Sequence, residues 1–205
     1  MKVKVCGLSN KKEVEASVNY EANYCGFILN YPKSHRYVSF DVAKNLTSID
    51  KKNTQYVGVL VAPSTEELKK FSELNLDYFQ LYGDYDNDAL IKIKQKFKKG
   101  IITSLQIKKE SDVQKYKKIE HGSDIILWDS SGYEDSLGWN YNWIKNINVK
   151  AEKMLAGNIT IDKISDLSGL ADTIDVSGAL ETNKVKDIVK IKDFITQIKK
   201  INNEN

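Results

Sequence analysis

The chain has 205 residues, 41% hydrophobic and 29% charged, which suits a globular protein with a sizeable core and argues against disorder. Its formal net charge is +3, and the lysines are spread at the three-to-four spacing of solvated helix faces, so neither nucleic acid nor a membrane surface is expected as a partner. One asymmetry stands out: 30 of the 31 basic residues are lysine, and Arg36 is the only arginine.

No run approaches the ~18 apolar residues of a membrane span, and Met1-Lys2-Val3-Lys4-Val5-Cys6 has no hydrophobic signal core, so a cytoplasmic location is expected. Cys6 and Cys25 are too few for a disulfide framework. With His35 and His121 they offer no zinc-ligand spacing, and no structural metal is expected.

Short apolar runs alternate along the chain with segments of helical period. The runs are Val3–Gly7, Tyr24–Asn30, Tyr56–Ala62, Tyr78–Gly83, Ile101–Ile107, Asp124–Asp129, Lys153–Gly157 and Thr173–Gly178. Between them lie Asp41–Ile49, Thr65–Leu74, Asp88–Phe97, Asp112–Ile119 and Lys186–Ile201, with apolar residues three or four apart. Strands alternating with helices argue for a parallel sheet. Eight such units in one series argue for a single-domain (β/α)8 barrel over 1–205, of the α/β class, rather than an open Rossmann-like sheet. The glycine-rich turn of the open alternative is missing, since Cys6-Gly7-Leu8-Ser9 follows the first strand. Pro32 and Pro63 both fall in loops after strands, and no linker is visible.

In a barrel of this kind the chemistry sits where strands end. The polar residues there are Cys6, Asn30 and Arg36, Gln80 and Tyr82, Gln106, Asp129, Gly157-Asn158, and Asp175 through Gly178. Strand alternation sorts their directions. Val3 and Val5 suit the helix side, which sends Lys4 and Cys6 inward; Cys25, Phe27 and Leu29 suit the helix side of strand two. Ile126 and Trp128 point outward with Leu127 and Asp129 inward, and Ile174 and Val176 outward with Asp175 and Ser177 inward. Two carboxylates and one thiol therefore converge on the mouth, while Cys25 is expected in the core, out of reach of Cys6. His35 and His121 are expected in loops, and Tyr82 as packing at the mouth. Lys4 has two readings: a source of positive potential for Cys6, or a partner of a barrel carboxylate.

The motifs Val5-Cys6-Gly7-Leu8, Gly26-Phe27, Ser34-His35-Arg36-Tyr37-Val38-Ser39, Val57-Gly58-Val59, Gln80-Leu81-Tyr82-Gly83, Leu127-Trp128-Asp129-Ser130, Leu155-Ala156-Gly157 and Asp175-Val176-Ser177, followed by Glu181 and Lys186-Asp187, resemble the phosphoribosylanthranilate isomerase family of tryptophan biosynthesis, in order and over nearly the whole chain. The resemblance implies a cofactor-independent Amadori rearrangement of a phosphorylated aminosugar, N-(5-phosphoribosyl)anthranilate, by an aldose-ketose isomerase acting as a monomer or homodimer. It implies that Asp129 is the general acid and Cys6 the general base, and that Arg36 holds the anthranilate carboxylate. Gln80, Asp175, Gly157, Asn158, Gly178 and Ala179 would bind the rest of the substrate, the last four around its phosphate.

The chain departs from the family pattern at four places. Asn158 stands for a second glycine, Gly178-Ala179 for Ser-Gly, and Tyr82 for a histidine beside Gln80. The segment Gly132-Tyr133-Glu134-Asp135-Ser136-Leu137-Gly138 stands for a glycine-rich loop. Two other readings stay open. One is a barrel isomerase of the histidine-pathway type, against which Cys6 argues because that enzyme has an aspartate there; the other is a barrel that binds a phosphoribosyl ligand without turnover.

Overall fold

Eight parallel strands close into one barrel in chain order in the computed structural model, which describes residues 1–130 and 137–204. They are β1 (Lys2–Cys6), β2 (Tyr24–Ile28), β3 (Gln55–Val61), β4 (Tyr78–Tyr82), β5 (Gly100–Ile107), β6 (Ile125–Ser130), β7 (Glu152–Leu155) and β8 (Thr173–Val176). The seam between β8 and β1 pairs Val3 with Ile174 and Lys4 with Asp175. Every strand falls on one of the apolar runs read from the sequence, with ends differing by no more than two residues.

Alternation divides the apolar side chains between two compartments. Val3, Val5, Cys25, Phe27, Ile126, Trp128 and Ile174 join the core between barrel and helices. Tyr24, Val57, Ile102, Leu127 and Met154 fill the barrel interior, and Cys6, Val59 and Tyr82 close its upper end. Both thiols are free and buried, each on the side its parity dictates.

The helices are α1 (Lys11–Asn19), α2 (Phe40–Thr47), α3 (Thr65–Ser72), α4 (Asn87–Phe97) and α5 (Ile188–Glu204). Asn10, Ser39, Ser64 and Asp86 cap the first four by accepting a hydrogen bond from a first-turn backbone N–H. At α1 the buried Glu13 carboxylate also accepts from the Ser9 and Asn10 N–H groups, fixing the loop that leaves Cys6. The last helix buries Ile191, Phe194, Ile195, Ile198 and Ile201, a stripe at helical spacing.

The eightfold strand–helix repeat is broken in three places. After β5 the expected α-helix over Asp112–Ile119 is instead a 3-10 helix, Glu110–Lys118. Its Val113 carbonyl, which an α-helix would direct to the Lys117 N–H, accepts from the Trp128 indole at 3.2 Å, and Tyr116 stacks edge-on against the same ring. After β6 and β7 the described residues hold only short 3-10 turns, Tyr141–Ile144, Ile161–Lys163 and Ser165–Leu167. Those stretches are rich in asparagine and β-branched residues, which disfavour the α-helix. No helix among the described residues is long and apolar enough to cross a membrane.

Candidate active site

A cavity opens at the C-terminal ends of the strands, and its wall contains Cys6, Arg36, Tyr82, Asp129, Asp175, Gly157, Asn158, Gly178 and Ala179. Each of these was picked out from the sequence as a mouth residue except Ala179, which came from the resemblance. Gln80 is the exception among the expected site residues. It is 1% exposed and absent from the cavity wall, because it lies two residues before Tyr82 on the inward side of β4 and the phenol ring covers it. Its Nε2 donates to the Tyr82 hydroxyl at 3.2 Å.

Lys4 resolves into both of its readings. The side chain is fully buried, and Nζ donates to both Asp175 carboxylate oxygens at 2.9 Å, a pair that the β1–β8 register places side by side. The ammonium also lies beside the Cys6 thiol. Gly26 on β2 leaves the room for this: a Cβ there would lie 3.0 Å from Cys6 Sγ and 3.1 Å from Lys4 Nζ. Burial pulls the Lys4 pKa down, but Asp175 and Cys6 outweigh it and leave the ammonium firmly charged. For the thiol, burial pushes the pKa up and Lys4 draws it back only in part, with Asp175 adding to the rise. The expectation that Lys4 favours the thiolate holds in sign, yet the resting thiol titrates above its ordinary value.

Asp129, next to last in β6, points inward. Burial pushes its pKa up to about 6, with Asp175 adding to the rise while hydrogen bonds from Tyr82 and Ser130, and Lys4, oppose it. The Tyr82 hydroxyl donates to Oδ2 at 2.7 Å, and the Ser130 N–H donates to Oδ1 at 2.7 Å. Tyr82 packs at the mouth as expected and is, in addition, a hydrogen-bond partner of the candidate acid. An aspartic acid of that strength is half protonated near pH 6 and suited to donate a proton.

Arg36 sits in the loop after β2, held by its N–H donating to Ser34 Oγ at 3.1 Å. Its aliphatic stem crosses Gly7, where φ is +78° and a Cβ would come within 2.5 Å of Arg36 Cδ. The glycine after Cys6 is thus required twice, for a left-handed backbone and for the close approach. Nε and Nη2 of the guanidinium form a two-point pair with Glu181, at 2.5 and 3.0 Å. Lys186 also donates to Glu181 and, at 3.2 Å, to Ser177 Oγ, whose hydroxyl donates to the Cys6 carbonyl. His35 meets Glu181 at 3.2 Å. Burial works upward on Glu181, but Arg36 and Lys186 hold its pKa down at about 2.

After β7, Gly157 (φ +104°) and Asn158 (φ +50°) both adopt left-handed backbone, so asparagine supplies the conformation expected of a second glycine. A Cβ at Gly157 would lie 3.0 Å from the Leu137 carbonyl and from the Trp139 ring, and the Trp139 indole donates to the Ala156 carbonyl at 2.9 Å. After β8, Gly178–Leu180 forms one 3-10 turn. Gln106 lies outside the wall of this cavity, and Asn30 ties β2 to β3 through Val61. Residues 132–136 of the loop that departs from the family pattern lie outside the described residues.

Glu181 and Lys186 entered the sequence reading only as family motif, and their burial was missed. The signal was weak: the two charges stand on the paired strands of a short hairpin, Glu181–Thr182 and Val185–Lys186, which has no apolar pattern to mark a buried side. The same hairpin supplies an acidic partner for the only arginine.

Comparison with known proteins gives a consistent picture. A family model described as N-(5'phosphoribosyl)anthranilate (PRA) isomerase matches residues 3–197. An N-(5'-phosphoribosyl)anthranilate isomerase from Streptococcus mutans is 34% identical over 204 residues, covering 97% of this chain and 99% of the relative. The crystal structure of phosphoribosyl anthranilate isomerase from Thermotoga maritima superposes with a TM-score of 0.85 at 25% identity, over 98% of this chain and 99% of that one. A phosphoribosyl anthranilate isomerase crystallised with reduced 1-(o-carboxyphenylamino)-1-deoxyribulose 5-phosphate gives a TM-score of 0.81 at 25% identity and the same coverage.

Proposed function

From the premise that the chain belongs to the N-(5'-phosphoribosyl)anthranilate isomerase family, we propose that it converts N-(5-phosphoribosyl)anthranilate to 1-(2-carboxyphenylamino)-1-deoxyribulose 5-phosphate in tryptophan biosynthesis. The observation that carries this reading is the placement of Cys6 and Asp129 in one cavity, with Arg36 in the same wall.

The rearrangement needs an acid and a base. Asp129 gives its proton to the furanose ring oxygen as the bond from that oxygen to C1 breaks, and the anilino nitrogen lone pair forms the C1 iminium. Without that proton the leaving oxygen would depart as an alkoxide, so an acid that keeps a protonated fraction near neutral pH is needed, and burial with Asp175 nearby supplies it. The Cys6 thiolate then removes the proton from C2, and the electron pair of that C–H bond neutralises the iminium to give an enolamine. Reprotonation at C1 and loss of the enol proton yield the ketone. The positive iminium in the cavity adds to the field of Lys4 in drawing the proton from Cys6, whose resting pKa is raised.

Arg36 suits the anthranilate carboxylate, because a guanidinium held in place by Glu181 meets it with its orientation already set. The backbone at Gly157-Asn158 and Gly178-Ala179 suits the phosphate, lying after β7 and β8 where barrels of this kind present N–H groups to anions. Gln80 acts behind Tyr82 on this reading, and Asp175 acts through Lys4 and Asp129.

The test is to follow the loss of substrate fluorescence when the purified chain is added to freshly made N-(5-phosphoribosyl)anthranilate. Turnover supports the reading. Calorimetric binding of the reduced product analogue without turnover would overturn it in favour of a barrel that only binds the ligand.

A further inference from the structure

We infer that Tyr82, backed by Gln80, is a positioning residue for the acid step: its phenol holds Oδ2 of Asp129 and stabilises the carboxylate charge that appears as the proton leaves. The inference rests on Asp129 being the acid of the rearrangement.

The hydrogen bonds form a directed chain. Gln80 Nε2 donates to the Tyr82 oxygen at 3.2 Å, the Tyr82 hydroxyl donates to Asp129 Oδ2 at 2.7 Å, and the Ser130 N–H donates to Oδ1 at 2.7 Å. Both carboxylate oxygens therefore carry a donor, and the plane of the carboxyl group is set. A donor to the phenol oxygen polarises the O–H bond and strengthens what it donates onward.

Strand register explains how a residue of β4 reaches one of β6. Tyr82 pairs with Ser104 on the intervening strand, and Ser104 pairs with Leu127, two residues before Asp129. Ser104 faces inward with a small side chain, leaving space over β5 for the phenol ring to pass. Its Oγ is buried without a hydrogen-bond partner among the described residues, so its polar atom does nothing here that its size does not. Gln80 Oε1 is likewise buried and unpartnered. An amide half satisfied in the barrel interior is costly, and the one hydrogen bond of the Gln80 side chain among the described residues is the one to Tyr82.

The charges around Asp129 give the phenol its task. Facing it are Tyr82 from β4, Lys4 from β1, Asp175 from β8 and Tyr141 from the segment after β6, and Cys6 of β1 shares the cavity wall. Lys4 is committed to Asp175, and Asp175 repels a new carboxylate. As the Asp129 proton passes to the ring oxygen, the donors among the described residues that bond the growing charge are Tyr82 and the Ser130 N–H. A bond that strengthens during proton transfer lowers the barrier and raises kcat more than it lowers KM.

The experiment compares wild type with Tyr82→Phe, which keeps the ring and removes the donor, and with Gln80→Leu, which leaves the phenol unbacked. The side-chain carboxyl of Asp129 is titrated by carbon-13 NMR, its signal assigned by its loss in Asp129→Asn, and kcat and KM are measured alongside. In Tyr82→Phe the Asp129 midpoint, about 6 in wild type, rises by about 1 pH unit, the size expected for one lost bond to a charged group. In the same variant kcat falls about tenfold and KM moves less than threefold; Gln80→Leu shifts both midpoint and kcat in the same direction by less. If Asp129→Asn abolishes turnover while Tyr82→Phe leaves midpoint and kcat at wild-type values, the inference fails alone. If Asp129→Asn turns over normally, the assignment of the acid fails and the inference with it.

Discussion

The Lys4–Asp175 pair makes the sharpest demand on the structure, and Lys4→Met tests it. Methionine approximates the length of the lysine stem, so the substitution removes the charge with little change in volume. Lys4 is 0% exposed and grips both carboxylate oxygens at 2.9 Å. Removing one partner of such a buried pair strands the other charge and costs about 3–5 kcal/mol, which for a chain of this size lowers Tm by roughly 6–20 °C. Asp175→Asn in the same background should restore part of that loss, because the stranded charge is then gone. The sign with pH follows from the raised Lys4 pKa: the pair's contribution is fully present below the unfolded value of 10.5 and is lost only as pH rises beyond it, so the pair's share of the variant's deficit is constant from pH 6 to 9. The functional readout is the rate of Cys6 alkylation by iodoacetamide, quantified on the Cys6 peptide; Cys25, 0% exposed in the outer core, reports unfolding. With the ammonium gone and the Asp175 carboxylate left beside it, the thiol loses its thiolate fraction, and the alkylation rate at pH 8 falls more than tenfold. An unchanged rate in a folded variant, or a stability loss under about 1 kcal/mol, would refute the assignment of Lys4.

Three further outcomes follow from the same geometry. Arg36→Lys replaces a two-point guanidinium pair with a point charge, so KM rises by a factor corresponding to about 1–3 kcal/mol while kcat changes little; steady-state kinetics read the split. Glu181 has its pKa held down at about 2, so its stabilisation is present above the unfolded value of 4.5 and fades as pH falls toward 2. Denaturant unfolding at pH 5 and pH 3 should show wild type losing about 1–2 kcal/mol more than Glu181→Gln over that interval. Asp129 is raised to about 6, so its ionisation costs stability as pH rises from 3.8 through 6. Asp129→Asn should therefore be about 2–3 kcal/mol more stable than wild type at pH 7.5, with the difference vanishing below pH 4.

The barrel was legible because its signals are short-range. Period-two alternation in strands such as Val3-Lys4-Val5-Cys6 and Ile126-Leu127-Trp128-Asp129 assigns each side chain to a compartment without knowledge of the neighbouring strands. The same alternation brought Cys6, Asp129 and Asp175 to the mouth. Departures arose wherever a contact across strands decided the outcome. The 3-10 helix after β5 follows from the Trp128 indole taking the Val113 carbonyl, a contact between residues 15 apart that no helical period encodes. The hydrogen bond of Tyr82, beyond its packing, was not legible because its partner lies 47 residues downstream and across an intervening strand. Gln80 carried the right polarity and direction for the site, but only the ring of Tyr82 above it places it behind the wall. Glu181 illustrates the limit in another way: a charged residue on a short hairpin is solvated by default, and its burial depends on Arg36, 145 residues away.

The most direct measurement of the central claim is single-turnover conversion of N-(5-phosphoribosyl)anthranilate by Cys6→Ala and Asp129→Asn, with calorimetric affinity for the reduced product analogue measured on the same preparations. Removing a general acid or base costs about 10²–10⁴ in rate, and neither side chain is the main anchor of the substrate's carboxylate or phosphate. Both variants should bind the analogue within a few-fold of wild type while conversion falls at least a hundredfold. A variant that binds normally and converts substrate within tenfold of wild type would contradict the account.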